Sequence, residues 1–439
     1  MKYKLSNSKL INKVFFTLIL LLLVHQVTAN ATGHQQHQRK TVTNKGGTCA
    51  VVDVRCAKTV TSAFAPNGDL WRVWVFQEQL YYQISADNGQ SFAQPQKIAI
   101  AKEKISARNE NRPKIAFDAH QGVYLSWAKS GAKKYTGDIR FSYSSDYGKS
   151  FSSAITVNND NLPTGHSFNE MQVDASGEVS LVWLDGRLSY QLKQQGKETN
   201  GSALYFAKAN PRLLKQGDKL LFDNQQLANN TCVCCRIATD VNKNGQLAIF
   251  WRHIYGDNIR EFALLTHNAA GSNDPQNASL TQPQQISYDH WQINGCPHQG
   301  GGITIDENNR YHLVWFNQGD KGKGIFYAYS DHQGQELSTP LAIGELTKQS
   351  AHPHVISNNN FVDIVWLQFN GIEHQLWHQQ SSDYGKTFAK ARLLAVAKNG
   401  ADRPFLLKKM VNQTAKNSTA EQVFVSWQRP KQGHWLQAL

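Results

Sequence analysis

The sequence lacks the features that mark a helical or membrane-embedded protein. None of its 439 residues falls in a clean helical repeat of about 12 residues, the length of an ordinary globular helix. Its main apolar run, Val14 to Val24, is shorter than the roughly 20 residues that span a bilayer. Only three methionines are present, while valine, tyrosine, phenylalanine and tryptophan recur in short runs. These observations predict an all-β protein with no membrane span in the mature chain.

The sequence also lacks a basic run interleaved with aromatic residues, and this argues against nucleic acid as a partner. The chain is nevertheless basic, with a formal net charge of +13. Four of the lysines lie in the first 29 residues, so the remainder keeps a positive charge. A charge of this sign favours acidic partners, and we expect an acidic glycan or another anionic component of the cell envelope.

The amino-terminal segment has the layout of an export signal. Lysines precede the apolar run, and Val27-Thr-Ala29 follows it as a small-residue cleavage site. We predict a signal peptide over residues 1–29, a disordered histidine-containing leader over 30–45, and one monomeric domain over 46–439. No cysteine lies near Ala29, so lipid attachment is not expected, and the mature protein is predicted to be periplasmic or secreted.

An octapeptide with the pattern S-x-D-x-G-x-[ST]-F occurs three times, at Ser85 to Phe92, Ser144 to Phe151 and Ser381 to Phe388. Its aspartate can accept hydrogen bonds from the backbone of its own turn, and its glycine can take a positive φ angle. The copies at Ser85 and Ser144 follow runs of alternating residues, Gln79 to Ile84 and Asp138 to Tyr143. The octapeptide therefore predicts a turn that joins two antiparallel strands.

The spacing of the copies indicates further repeats. The interval from Asp146 to Asp383 is close to four times the interval from Asp87 to Asp146, so three eroded copies are expected between them. One degenerate copy is Tyr329-Ser-Asp331-His-Gln-Gly334. Seven short β-rich runs each end in tryptophan, which predicts seven units: Trp74, Trp127, Trp183, Trp251, Trp315, Trp366 and Trp427.

The octapeptide is the Asp box, and through it the chain resembles the bacterial neuraminidase repeat proteins of the sialidase superfamily. The resemblance implies a single β-propeller of four-stranded antiparallel blades. Seven blades are favoured by the tryptophan count, and six, the number in catalytic sialidases, is the alternative. We expect an amino-terminal strand within residues 46–56 to complete the last blade and remove the open edges.

In this superfamily the Asp boxes cap the face opposite the active site, so functional residues are expected in the loops before each first strand. Cysteines and histidines accumulate in these loops. A pair between Cys49 and Cys56 is plausible, but the other four cysteines do not pair simply, because Cys232, Cys234 and Cys235 are near neighbours. Structural disulfides and a soft-metal site for copper or zinc both stay open. The candidate ligands are Cys232, Cys234, Cys235, Cys296, His298, His352 and His354.

The resemblance to sialidases implies a different set of residues. Sialoside hydrolysis uses three arginines to hold a carboxylate, a carboxylic acid and an activated tyrosine. The candidates are Arg112, Arg236, Arg403 and Glu170, with Tyr190 and Tyr255 on the same face. The superfamily motif Phe/Tyr-Arg-Ile/Leu-Pro is absent, and Arg112-Pro113 and Arg403-Pro404 are only partial matches to it. The sequence therefore predicts a relative that departs from standard sialidases.

Three functions are compatible with these patterns. The favoured one is an exported propeller whose cysteine- and histidine-lined channel mouth binds a ligand, with a soft metal as one candidate. The second is a glycoside hydrolase of exo-alpha-sialidase type that acts on acidic glycans. The third is a non-catalytic scaffold that recognises an envelope partner.

Overall fold

The structure is a computed structural model that describes residues 49–268, 282–409 and 421–439. The predicted signal peptide and leader lie outside these residues. Among the described residues, no helix has the length and apolar character needed to cross a membrane.

Short antiparallel strands dominate the chain. One α-helix, α1 (Arg187–Gln194), lies in the connection after the tenth strand. In chain order the strands are β1 (Val60–Phe64), β2 (Leu70–Phe76), β3 (Gln79–Ser85), β4 (Gln96–Lys97), β5 (Lys114–Phe117), β6 (Val123–Ser130), β7 (Gly137–Ser144), β8 (Ile155–Thr156), β9 (His166–Val173), β10 (Val179–Asp185), β11 (Ser202–Ala209), β12 (Asp223–Thr231), β13 (Ala238–Val241), β14 (Gln246–Tyr255), β15 (Ile259–Asn268), β16 (Gln284–Gln285), β17 (Gly302–Ile305), β18 (Tyr311–Gly319), β19 (Gly322–Ser330), β20 (Leu341–Ile343), β21 (Gln349–Asn358), β22 (Phe361–Phe369), β23 (His374–Ser381), β24 (Arg392–Ala397), β25 (Phe405–Lys409), β26 (Gln422–Arg429) and β27 (Gly433–Ala438).

Strands that follow one another in the sequence pair with each other. From β1 to β24 they form six antiparallel groups of four strands each. The groups β9–β12 and β13–β16 are joined into one eight-stranded sheet by a single pair, Thr231 with His253. The first strand of each group contacts the first strands of the groups on either side, and β1 contacts both β5 and β25. This closed ring of first strands is the architecture of a β-propeller. The described sheets divide into seven units, consistent with the seven blades that the tryptophan count favours.

The tryptophans that mark the repeats lie on the second strand of each unit. All seven side chains are fully buried. Alternate residues on these strands face neighbouring sheets, as the two-residue period of a strand requires. The core is therefore a series of apolar layers between successive sheets, as between Trp127 in the second unit and Leu80 in the first.

The three Asp boxes join the third and fourth strands of their units, as predicted. In the first, Asp87 accepts hydrogen bonds from the Ser91 backbone N–H (2.9 Å) and from its hydroxyl (2.5 Å), while Gly89 N–H donates to Ser85 Oγ (2.7 Å). Gly89 has φ +86°, which glycine adopts without strain. The degenerate box keeps the bond from Gly334 N–H to Ser330 Oγ (2.8 Å).

The seventh unit has three strands, β25–β27. The expected closing strand in residues 46–56 is not observed from Cys49 onward, where Val54–Cys56 forms a 3-10 helix. This helix is held beside β26 and β27 by isolated hydrogen bonds: Gln428 Nε2 donates to Val54 O (2.8 Å) and Lys431 N–H donates to Arg55 O (3.3 Å). Asp53 accepts a hydrogen bond from Arg55 N–H (2.7 Å), and this cap turns the chain away from the extended conformation.

Candidate functional site

Three arginines occupy equivalent positions in the ring. Arg112, Arg236 and Arg403 each lie two residues before the first strand of their unit, before β5, β13 and β25. The Asp boxes lie at the other end of the strands, where Tyr147 N–H donates to Gln121 O in the adjacent turn (3.1 Å). The arginines therefore lie on the face opposite the Asp boxes, as the sequence predicts. We call their surroundings the mouth site: Glu110, Arg112, Lys114, Glu170, Arg236, His352, His354, Asp402 and Arg403.

Arg112 is bonded to neighbouring units. Its guanidinium donates to Val60 O (3.3 Å) in the first unit and to Asp402 Oδ1 (2.8 Å) beside the seventh. It also donates to the carbonyls of Asn109 (2.7 Å) and Arg403 (3.2 Å), and Arg112 is only 5% exposed. Most of the N–H groups of its guanidinium are therefore already bonded, and they connect the first, second and seventh units.

Arg236 is bonded in a similar way. Its guanidinium donates to Gly301 O and to Pro353 O (2.8 Å), the carbonyls of two later units. Nη1 lies 3.4 Å from Glu110 Oε1, which brings the second unit into the same contact. Burial opposes ionisation of Glu110, but the charge of Arg236 and the nearby His352 and Arg403 together hold its pKa well below its usual value.

Arg403 differs from the other two arginines. It is half-buried, and its guanidinium makes no hydrogen bond or ion pair with any residue in the described ranges. Three more buried atoms of the mouth site also lack hydrogen-bond partners there: Glu110 Oε1, His352 Nδ1 and Asp402 Oδ2. Glu110 Oε1 nevertheless lies within ion-pair range of Arg236 Nη1 (3.4 Å) and of His352 Nδ1 (3.8 Å), so Asp402 Oδ2 is the carboxylate oxygen without a charged neighbour at such a distance among the described residues. Unpaired buried polar atoms are rare in proteins, and their concentration here marks a place where a water molecule or ligand atom completes the bonding.

A lysine and a glutamate form a close pair within the site. Lys114 Nζ lies 2.5 Å from Glu170 Oε1, and the two side chains are 16% and 17% exposed. Burial lowers the pKa of Lys114, and the nearby positive charges of Arg112 and Arg236 add to this effect although Glu170 opposes it. Glu170 is therefore an ion-paired carboxylate rather than a free carboxylic acid.

Both histidines of β21 lie beside these charges. A bulge between Ala351 and His354 interrupts pairing with β22, and His352 has φ +56°. His354 Nδ1 accepts a hydrogen bond from Leu406 N–H (3.3 Å), so the proton of the neutral ring is on Nε2. Burial, with Arg236 next, lowers the pKa of His354 well below its usual value; burial lowers that of His352 to about 4. Both rings are neutral at pH 7.

The free cysteines form a second group, which we call the thiol cluster: Cys232, Cys234, Cys235 and Cys296. The Sγ atom of Cys232 lies 3.7 Å from that of Cys234 and 3.1 Å from that of Cys235. These three thiols are buried, and Cys296, which is exposed, interacts with Cys234. Thiol hydrogen bonds from Cys234 and Cys235 lower the pKa of Cys232. Cys49 and Cys56 are disulfide-bonded, as their spacing suggests.

The structure thus divides the seven predicted metal ligands into two groups. The Sγ atoms of Cys232, Cys234 and Cys235 lie within 4.8 Å of one another and Cys296 interacts with Cys234, whereas His352 and His354 belong to the mouth site with the predicted catalytic residues Arg112, Arg236, Arg403 and Glu170. His298 is exposed and lies in the loop between Cys296 and Gly301. Burial raises the pKa of Tyr255, so its hydroxyl stays protonated.

Sequence reasoning missed three members of the mouth site: Glu110, Lys114 and Asp402. Each lies within two residues of an Arg-Pro pair, Arg112-Pro113 or Arg403-Pro404. An acidic residue close to an Arg-Pro pair, just before the first strand of two different units, was the sequence pattern that could have identified them.

A separate carboxylate and histidine group lies in the third unit and its preceding loop. Asp160, His166 and Asp185 could together offer ligands to a metal. However, Arg187 already donates to Asp185 Oδ2 (2.9 Å) and lies 3.9 Å from Asp160. The group is therefore a buried ion-pair network.

Known structures identify the fold. An ulvan lyase of polysaccharide lyase family PL25 aligns with 88% of this chain and 94% of its own, at 11% identity and a TM-score of 0.52. The fold is that of a sialidase-like β-propeller. An α-L-arabinanase from Penicillium chrysogenum (10% identity, 88% of this chain and 94% of that chain, TM-score 0.45) also matches this sialidase-like propeller. So does the Hadza microbial sialidase Hz136 (12%, 82% and 73%, 0.44). No protein-family model and no curated protein matches the sequence.

Proposed function

We propose that the mouth site binds an acidic glycan, with Arg403 holding a carboxylate or sulfate group. The observation that carries this proposal is the unpartnered guanidinium of Arg403 among orphan acceptor atoms. A planar guanidinium suits a carboxylate or sulfate. The acceptors Glu110 Oε1 and Asp402 Oδ2 suit hydroxyl donors, directly or through water, and an acidic sugar supplies both kinds of group.

The charges of the site support an anionic ligand. Four cations, Arg112, Arg236, Arg403 and Lys114, face the carboxylates Glu110 and Glu170 and also Asp402, whose pKa burial raises to about 7, while the two histidines are neutral. Phe405 is half-buried beside the guanidinium of Arg112, 5.7 Å from its ring centre. An aromatic ring next to cationic donors suits the mixed apolar and polar surface of a sugar. The polysaccharide lyase fold of the aligned ulvan lyase supports a glycan as the ligand class.

The geometry favours binding over sialidase-type hydrolysis. A three-arginine clamp needs free guanidinium groups, but Arg112 and Arg236 are occupied by backbone carbonyls and carboxylates. Glu170 is paired with Lys114 instead of being available as a proton donor. Turnover of acidic glycosides is therefore measured as well, as the alternative outcome of the test described next.

The test compares acidic and neutral oligosaccharides of equal length by calorimetry at low salt. We expect the acidic ones to bind more tightly and to lose affinity as salt is added. Arg403→Gln removes a charge-assisted interaction of about 1.5–3 kcal/mol, so binding should weaken by about tenfold to a hundredfold.

Lys149→Gln is the matched control, because it removes one charge from an exposed position in an Asp box at the opposite end. It should bind like the wild type. Equal binding of acidic and neutral sugars, or unchanged affinity of Arg403→Gln, would overturn the proposal. Sialoside turnover that Arg236→Gln and Glu170→Gln abolish in folded protein would establish the hydrolase instead.

A further inference from the structure

We infer that the thiol cluster binds one soft metal ion through Cys232, Cys234, Cys235 and Cys296. Three buried cysteine sulfurs lie within 4.8 Å of one another, and Cys296, which interacts with Cys234, can supply the fourth. Four cysteines are the ligand set of a closed structural site, and zinc is its expected occupant. Cuprous copper has the same preference for thiolates. The inference concerns residues outside the proposed glycan contacts and stands independently of them.

The sulfur positions suit a shared ion. Sulfurs bound about 2.3 Å from one tetrahedral metal lie about 3.8 Å from each other. Cys232 and Cys234 are 3.7 Å apart, and the Sγ atoms of Cys232, Cys234 and Cys235 all lie within 4.8 Å of one another. The 3.1 Å between Cys232 and Cys235 is longer than the roughly 2.05 Å of a disulfide bond. In the same chain Cys49 and Cys56 are oxidised, so the four clustered cysteines are distinguished by being reduced.

Cationic side chains beside the cluster balance its charge. Four thiolates around a divalent ion carry two net negative charges, and Arg252 and Arg260 supply two positive ones. Arg252 is fixed there because its guanidinium donates to the carbonyls of Gln299 (3.1 Å), Arg260 (2.8 Å) and Phe316 (2.5 Å). Arg252 is 1% exposed, and its guanidinium packs against the aromatic rings of Phe262 and Trp291, which form an apolar wall beside it. A buried arginine without an excess of anions would be costly, so the ion-bound thiolates suit this environment.

The ion would connect two loops on either side of Arg236. Cys232, Cys234 and Cys235 lie between β12 and β13, and Cys296 lies in the loop before β17. Cys235 directly precedes Arg236, and Gly301, which accepts from its guanidinium, follows Cys296 by five residues. Metal binding would therefore fix both ends of the Arg236 contact.

The test is metal analysis of untagged mature protein purified without chelator and under anaerobic conditions. We expect about one zinc per chain, and loss of nearly all of it in Cys234→Ser and in Cys296→Ser. His298→Ala should keep the metal and serves as the matched control, because it changes a predicted ligand next to Cys296. One cuprous ion held by the same four thiols would equally support the site and would name its occupant.

A wild-type experiment guards against variants that fail to fold. Chelator treatment followed by Co²⁺ should give the thiolate-to-cobalt absorption of a tetrahedral site, and the exposed Cys296 thiol should resist alkylation only while metal is bound. A metal-free protein whose peptide map shows a disulfide among the four cysteines would overturn the inference. Arg403→Gln should keep its metal, so failure of glycan binding and failure of metal binding are distinguishable.

Discussion

His166 shows how one buried residue carries a pH dependence. Its Nδ1 lies 2.6 Å from Gly137 O, and its Nε2 lies 3.2 Å from Asp160 and 3.4 Å from Asp185. All three partners are acceptors, so both ring nitrogens must donate and the ring must be charged. Burial opposes this charge, but the hydrogen bond to Asp160 and the charge of Asp185 outweigh it and raise the pKa of His166.

We therefore expect a stability contribution from His166 that is complete below its unfolded pKa of about 6.5. It should be lost as pH rises through the higher folded pKa. Urea unfolding between about pH 5 and 9 should show the wild type losing stability relative to His166→Gln as pH rises. His290→Gln is the control, because its ion pair with Asp320 is exposed. A constant difference across this range would exclude a charged His166.

At the residue scale the sequence predicted the three arginines, Glu170 and the two histidines of the mouth site, but neither its other three members nor the bonds between them. The position of each arginine before a first strand follows from the repeat. That Arg112 bonds Asp402, 290 residues away, depends on ring closure, which local patterns do not encode. The position of His352 and His354 likewise depends on a bulge in β21, which Pro353 indicates because proline cannot donate to the strand ladder, although the repeat pattern does not predict it.

At the scale of elements, the repeat was predictable because each unit meets the same demands. A third strand must turn into a fourth, and Ser, Asp and Gly at fixed spacing satisfy that turn. The degenerate box shows how much can be lost: His332 and Glu336 replace its aspartate and serine and lie 3.4 Å apart as an ion pair. The bond from Gly334 to Ser330 is what remains common to all four boxes. By contrast, the 3-10 helix that Val54–Cys56 forms in place of a strand could not be foreseen, because its cap at Asp53 depends on local hydrogen bonds that compete with strand pairing.

The buried tryptophans of the second strands provide a matched pair of variants. Trp183 Nε1 donates to Asp185 Oδ2 (2.8 Å), whereas the buried Trp366 Nε1 has no partner in the described residues. Replacement by phenylalanine removes similar apolar surface at both positions. Trp183→Phe should be more destabilising by about 1.5–3 kcal/mol, because it also leaves a buried carboxylate short of a donor. Equal losses in urea unfolding would contradict this expectation.

At the scale of the whole molecule, the ring is closed by side chains at the meeting of its first and last units. Arg112 of the second unit and Asp402 beside the last unit, 6% and 1% exposed, form a buried pair next to this seam, and Arg112 also donates to Val60 O of the first unit (3.3 Å). Arg112→Met removes the charged partner of Asp402 and leaves this buried group with backbone donors such as Arg403 N–H (2.7 Å), so we expect a loss of about 3–5 kcal/mol.

Thermal unfolding of Arg112→Met and of the double variant Arg112→Met with Asp402→Asn measures this closure. The double variant should lose less than the two single changes predict together, because each removes the same interaction. Arg55→Gln, which breaks the exposed pair with Asp53, should cost no more than about 1 kcal/mol and is the control. If Arg112→Met unfolds like Arg55→Gln, the seam is not held by this pair.

The bridge between Thr231 and His253 makes the hydrogen bonding between neighbouring sheets uneven around the ring. It makes one continuous hydrogen-bonded sheet from the third and fourth units, while the other units form separate sheets. Backbone amides in these two units should therefore exchange with deuterium as a single late-opening block, and the seam beside β25–β27 should open earlier. The thiol cluster begins at Cys232, the residue after this bridge, so it lies in the part of the propeller that we expect to unfold last.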